Sequence, residues 1–90
     1  MDLLFKNIME DAVLMKLDEI MSNYQMCNCE KCRFDVASYA LNQLPPKYVA
    51  SSKGELYSKA YNLVKQHELD IVSALVKACM VVKDNPRHIA

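Results

Sequence analysis

Cys27, Cys29 and Cys32 fall within six residues, in the stretch NYQMCNCEKCRFDV, with helix-patterned chain on both sides. A C-x-C-x2-C run between two helices forces a tight corner. Four chemistries explain such a concentration of thiols: disulfides, redox exchange, a metal ion, or simple packing of small side chains. They lead to different functions, so the rest of the sequence has to discriminate among them.

The flanking pattern is helical nearly throughout. Phe5, Met9, Val13, Leu17, Ile20 and Tyr24 recur at steps of three and four and share one face. The spacing predicts a first helix over about Asp2 to Asn23, with Ile8, Ala12 and Met15 widening its apolar stripe. Leu14 falls on the polar side, and Leu3 and Leu4 add apolar area. Scattered surface leucines explain them, as does a second stripe used for dimerisation. A second helix is expected from about Lys31 to Gln43, burying Val36, Ala37, Ala40, Leu41 and Leu44. The sequence LPPKYV stops it, because Pro45 disfavours helical geometry at Leu44 and Pro46 keeps the chain extended. Ser52 and Glu55 have capping-box spacing at the start of a third helix. That helix carries Leu56, Tyr57, Ala60, Tyr61, Leu63 and Val64, and a break is expected near Gln66 to His67. The last helix is expected over Glu68 to Lys83, with Leu69, Val72, Leu75, Val76, Cys79 and Val82 inward, ending at the DNP of Asp84 to Pro86. The expected fold is all-α: a small bundle of about four helices around a cysteine-rich metal-binding turn, as one domain over residues 1–90.

Ninety residues give a modest core, and chains of this size often draw stability from a metal or a partner subunit. Hydrophobic residues make up 52% of the chain, which favours a homodimer that covers apolar surface. Eleven basic and eleven acidic residues cancel, which argues against DNA or RNA as the main ligand. No apolar run is long enough for a membrane span, and MDLLFKNIMED lacks the features of a signal peptide. A cytoplasmic setting is expected, where thiols stay reduced, so a disulfide framework is disfavoured.

Zinc suits thiolates and takes four ligands in a tetrahedron. Cys29 and Cys32 have the two-residue gap of a metal knuckle, and Cys27 adds a third sulfur. An ion there would staple the first helix to the second. Two roles are open to Cys79: fourth ligand, or a small core residue between Ala78 and Met80. His88 is a reserve ligand, and His67 reads as a solvated helix-end residue. A redox pair usually opens a helix that follows a strand, and no strand precedes this turn in the sequence reading. Unliganded thiols and a thiol redox sensor stay as alternatives. The single Gly54 excludes phosphate-binding glycine loops, and no spacing suggests a catalytic set, so a non-enzyme is expected.

The most ligand-like stretch is LPPKYVASSKGE. Lys47 and Lys53 could meet phosphates ahead of a helix start, and Tyr48, or Tyr57, could stack on a base. Arg33 beside the cysteine turn could make a bidentate phosphate contact. Against this, the loop reads more simply as an ordinary proline corner with Tyr48 tucked into the core and solvated lysines, and Arg33 as a surface ion-pair residue.

The segment CNCEKCRFDVASYALNQLPPKYV resembles the late competence development protein family (ComFB). That family shows a cysteine-rich turn followed by D-V-x-x-x-A-L-N-x-L-P-P-x-Y. Asp35, Val36, Ala40, Leu41, Asn42, Leu44, Pro45, Pro46 and Tyr48 match it. NIMEDAVLMKLDEIM and VVKDNP also look like the family, so the resemblance covers most of the chain. It implies a small helical dimer, zinc at the cysteine turn, and a signalling role in bacteria, with cyclic dinucleotides such as cyclic di-GMP bound by some members. The resulting expectation is a dimeric cyclic-dinucleotide receptor that signals to an unidentified downstream protein. The alternatives are a zinc-stapled interaction module without a small ligand and the redox sensor.

Overall fold

The computed structural model describes residues 3–84. The elements follow in the order β1 (Leu3–Asn7), α1 (Met9–Met21), α2 (Glu30–Leu41), β2 (Tyr48–Ser52), α3 (Lys53–Gln66) and α4 (Glu68–Asp84). α1 and α2 fold back on each other, with the cysteine turn at one end of the pair. α4 packs on α2, and α1 also lies against α3 and α4.

Each helix forms because its apolar residues return to one side. In α1 these are Met9, Ala12, Val13, Leu17, Ile20 and Met21, all buried. Glu10 and Asp11 stand in its first turn, where carboxylates favour the helix dipole. Leu17, Ile71, Leu75, Val13 and Val36 are among the fully buried side chains. Burying each of the larger ones contributes about 1.5–3 kcal/mol. The expected break between the last two helices is present: His67 leaves the helical region at φ −126°, ψ 31° and ends α3. The capping box is present too, with Glu55 accepting from the Ser52 backbone N–H at 3.2 Å and the Ser52 hydroxyl at 2.9 Å.

The all-α expectation needs correction. Residues 3–7 are a strand, not the first turns of α1, and residues 48–52 are its partner rather than an irregular loop. The two form an antiparallel ribbon with Leu3 opposite Ser52, Phe5 opposite Ala50 and Asn7 opposite Tyr48. Asn7 fixes the change from strand to helix. Its Oδ1 accepts from the backbone N–H of Met9 at 3.1 Å and of Lys47 at 2.8 Å. The Ile8 N–H donates to the Lys47 carbonyl at 2.7 Å. The helical spacing of Phe5 is therefore coincidental. Its ring is 77% exposed and stacks on Tyr48, 5.5 Å between centroids.

Leu69 is also corrected. It is 84% exposed, whereas Ile71, Ala74, Leu75, Ala78, Cys79 and Val82 face inward. Ile71 is two positions on from Leu69, about 200° around the helix, so only one of them can face the core. On α3, Tyr57 and Tyr61 are exposed and the buried stripe is Ala60, Leu63 and Val64.

Candidate metal centre

The cysteine turn is built by the start of α2. Cys29 holds the N-cap position in an extended conformation, φ −66° and ψ 165°, and the Arg33 N–H closes the first helical turn on the Cys29 carbonyl at 2.9 Å. Cys32 is the third helical residue and points into the core. The turn brings Cys27 back beside them. The three sulfurs all lie within 4.8 Å of one another, with Cys27 and Cys29 at the surface and Cys32 buried.

The environment divides the three thiols. Cys29 ionises more readily than an ordinary thiol, chiefly because the Cys32 backbone N–H favours the thiolate, with the Cys27 side chain adding to it. Cys32 is pushed up to about 12, first by burial and then by its two neighbouring sulfurs. Such a set can hold a metal ion. Sulfurs on a tetrahedral zinc stand about 3.8 Å apart, given zinc–sulfur bonds of about 2.3 Å. The observed cluster needs little rearrangement to reach that.

Cys79, expected as the fourth ligand, is not one of the close set. It is fully buried on α4 as part of the hydrophobic core, and burial alone raises its thiol. His88 lies outside the described residues. His67 is the cap between α3 and α4, with Nδ1 4.0 Å from Asp70 Oδ2.

The expected ligand-facing residues do not converge. The Arg33 guanidinium is engaged by Asp18 across the α1–α2 corner, Nε to Oδ1 at 2.8 Å and Nη2 to Oδ2 at 3.2 Å. That contact holds its pKa above the usual arginine value. Tyr48 is 59% exposed on β2, and Lys47 and Lys53 flank that strand, both exposed. Asn42 ends α2 as its C-cap, and Asp35 pairs with Lys31 at 3.2 Å. Three contributors escaped sequence reasoning: Asp18, Asn7 and Phe5. Asp18 and Arg33 are fifteen residues apart, so no local spacing announces them. Asn7 ahead of the helical run was the one readable signal, as a residue type that favours helix starts.

Comparison with known proteins agrees with this architecture. The model of the family described as late competence development protein ComFB matches residues 6–86. The competence protein ComFB of Bacillus subtilis (strain 168) is 34% identical over 71 residues, 78% of this chain and 72% of that protein. The solved structure of the late competence protein ComFB from Bacillus subtilis superposes with a TM-score of 0.79 at 28% identity, covering 92% of this chain and 94% of that one.

Proposed function

The chain belongs to the ComFB family of late competence development proteins, and from that premise we propose that it is a non-enzymatic, homodimeric signalling adaptor. In this reading zinc staples the helical corner and a cyclic dinucleotide of the cyclic di-GMP type is the input. The observation that carries it is the cluster of three sulfurs within 4.8 Å at the α1–α2 junction. Cys27, Cys29 and Cys32 would hold the ion, and a donor outside this set would complete it. A bound zinc supplies a cross-link between the two helices rather than a reaction. The residues themselves do the remainder: Cys29 at the helix start favours the thiolate form, and Cys32 carries the link into the core.

The nucleotide part of the reading rests on the ribbon. Phe5 and Tyr48 form an exposed aromatic platform, Lys47 adjoins Tyr48 in the chain, and Lys53 follows the other end of β2. Stacking on an aromatic ring with lysines toward the phosphates is a common way to hold a nucleotide. A second reading, a zinc-stapled interaction module without a small ligand, is favoured by the commitment of Arg33 to Asp18, which removes one expected phosphate contact.

Native mass spectrometry of the purified chain, with and without cyclic di-GMP, separates them. A zinc-loaded dimer that takes up nucleotide supports the receptor. A zinc-loaded dimer that ignores a panel of cyclic dinucleotides leaves the interaction module. A chain without zinc, carrying a disulfide among Cys27, Cys29 and Cys32, overturns both in favour of the redox sensor.

A further inference from the structure

Three neighbouring hollows, linked by shared lining residues, lie along the proline turn on the side of the molecule where α2 ends. The central one, about 220 Å³, is floored by Leu44, Pro45 and Leu63. A second, about 210 Å³, shares Leu44, Pro45 and Asp70 with it and runs on to Lys77. A third, about 200 Å³, shares Lys47 and Leu63 and runs the other way to Lys59. Together they make one groove with an apolar floor and a lysine toward each end.

The charge on this groove is one-sided. The chain is neutral, and five of its eleven acids pair elsewhere: Asp11 with Lys6, Asp18 with Arg33, Asp35 with Lys31, and Glu19 and Glu68 with Lys16. Lys47, Lys59 and Lys77 make no ion pair among the described residues, and Lys59 acts on Glu55 only at a distance. Asp70 is the single carboxylate in the lining, and it faces His67 in the middle of the groove.

From this arrangement we propose that the groove is a docking site for an extended acidic segment of a partner protein. The fitting segment has carboxylates at its two ends, facing Lys47 and Lys59 on one side and Lys77 on the other. It has an apolar side chain for the central hollow and no acid opposite Asp70. Charge complementarity selects an acidic occupant. The shape selects a peptide over a nucleotide: the floor is proline and leucine, no Phe, Tyr or Trp ring lines it to take a base, and its one imidazole, His67, faces Asp70. This inference goes beyond the dinucleotide reading and does not depend on it.

The test is selection of a randomised seven-residue peptide library, displayed on phage, against the intact purified chain. Enrichment of acidic sequences with a central apolar residue is expected. Amide shifts in the ¹⁵N-labelled protein on adding the selected peptide should then cluster at residues 43–47, 59–66 and 70–77. Lys59→Glu and Lys77→Glu, both exposed positions, should keep full helical circular dichroism and each weaken the peptide about tenfold, with binding falling as salt rises. No enrichment, enrichment of basic sequences, or shifts elsewhere overturns the proposal. So does binding of a single-stranded oligonucleotide to the same lysines with no peptide selected. A change of oligomeric state in either variant also overturns it, since the groove would then be an interface between copies.

Discussion

Cys79 and Cys32 are both buried cysteines, 0% and 1% exposed, yet the geometry gives them different work. Replacing either by alanine removes one buried sulfur. The transfer loss is about 1 kcal/mol, close to that of one methylene. A void on the order of 20 Å³ adds about 0.5 kcal/mol at about 24 cal/mol per Å³. For a chain of this size about 1.5 kcal/mol lowers Tm by roughly 6–12 °C. In the presence of a chelator, Cys79→Ala and Cys32→Ala should therefore melt about equally early. Zinc should separate them. A site that binds the folded state at a thousandfold excess over Kd stabilises it by about 4 kcal/mol. Cys79→Ala keeps all three clustered sulfurs, so it should hold its full metal complement and regain Tm when zinc is added. Cys32→Ala loses its inner ligand and should regain little. Melting curves with and without chelator, with zinc counted by inductively coupled plasma mass spectrometry, read both quantities. If Cys79→Ala loses zinc as completely as Cys32→Ala, the reasoning fails and Cys79 is a ligand.

Two further outcomes follow from the ribbon and the capping box. Asn7→Ala leaves the N–H groups of Met9 and Lys47 without their shared acceptor, and should cost about 1–2 kcal/mol and drop Tm by about 5–15 °C; an unchanged melt would show that water replaces the carbonyl without loss. Glu55 is held below the usual glutamate pKa, first by the Ser52 hydroxyl and then by the Ser52 N–H. A depressed folded-state pKa means that its contribution is complete above the ordinary value of 4.5 and disappears as pH falls through the lower folded value. Glu55→Gln should thus lose part of the decline in Tm below about pH 4.5, measured by circular dichroism; a parent and variant with superimposable acid limbs would refute it.

The helices were legible because their apolar residues recur locally, and the cysteine cluster because its members are neighbours in sequence. The ribbon was not, since β1 meets a partner more than forty residues away and its five residues happen to continue the helical rhythm of α1. Phe5 shows the cost: its spacing from Met9 fits a helix, but only pairing with Ala50, unseen in the sequence, decides its direction. Leu69 misled for a related reason, because a helix's first turn can carry an apolar residue on either side and only Ile71 settles the phase. Arg33 was legible as a cation near the turn, but not as the mate of Asp18.

The ribbon and the cysteine turn sit at opposite ends of the same helical pair. A backbone ladder between residues 3–7 and 48–52 closes a long chain loop at one end, and the sulfur cluster would close it at the other. Such a hairpin is fastened twice, so the loss of one fastener does not release the other. Amide exchange after metal removal should then quicken around residues 22–33 while the ladder and the buried middle of α1 keep their protection, so that metal status is felt as fraying of one end and not as global unfolding.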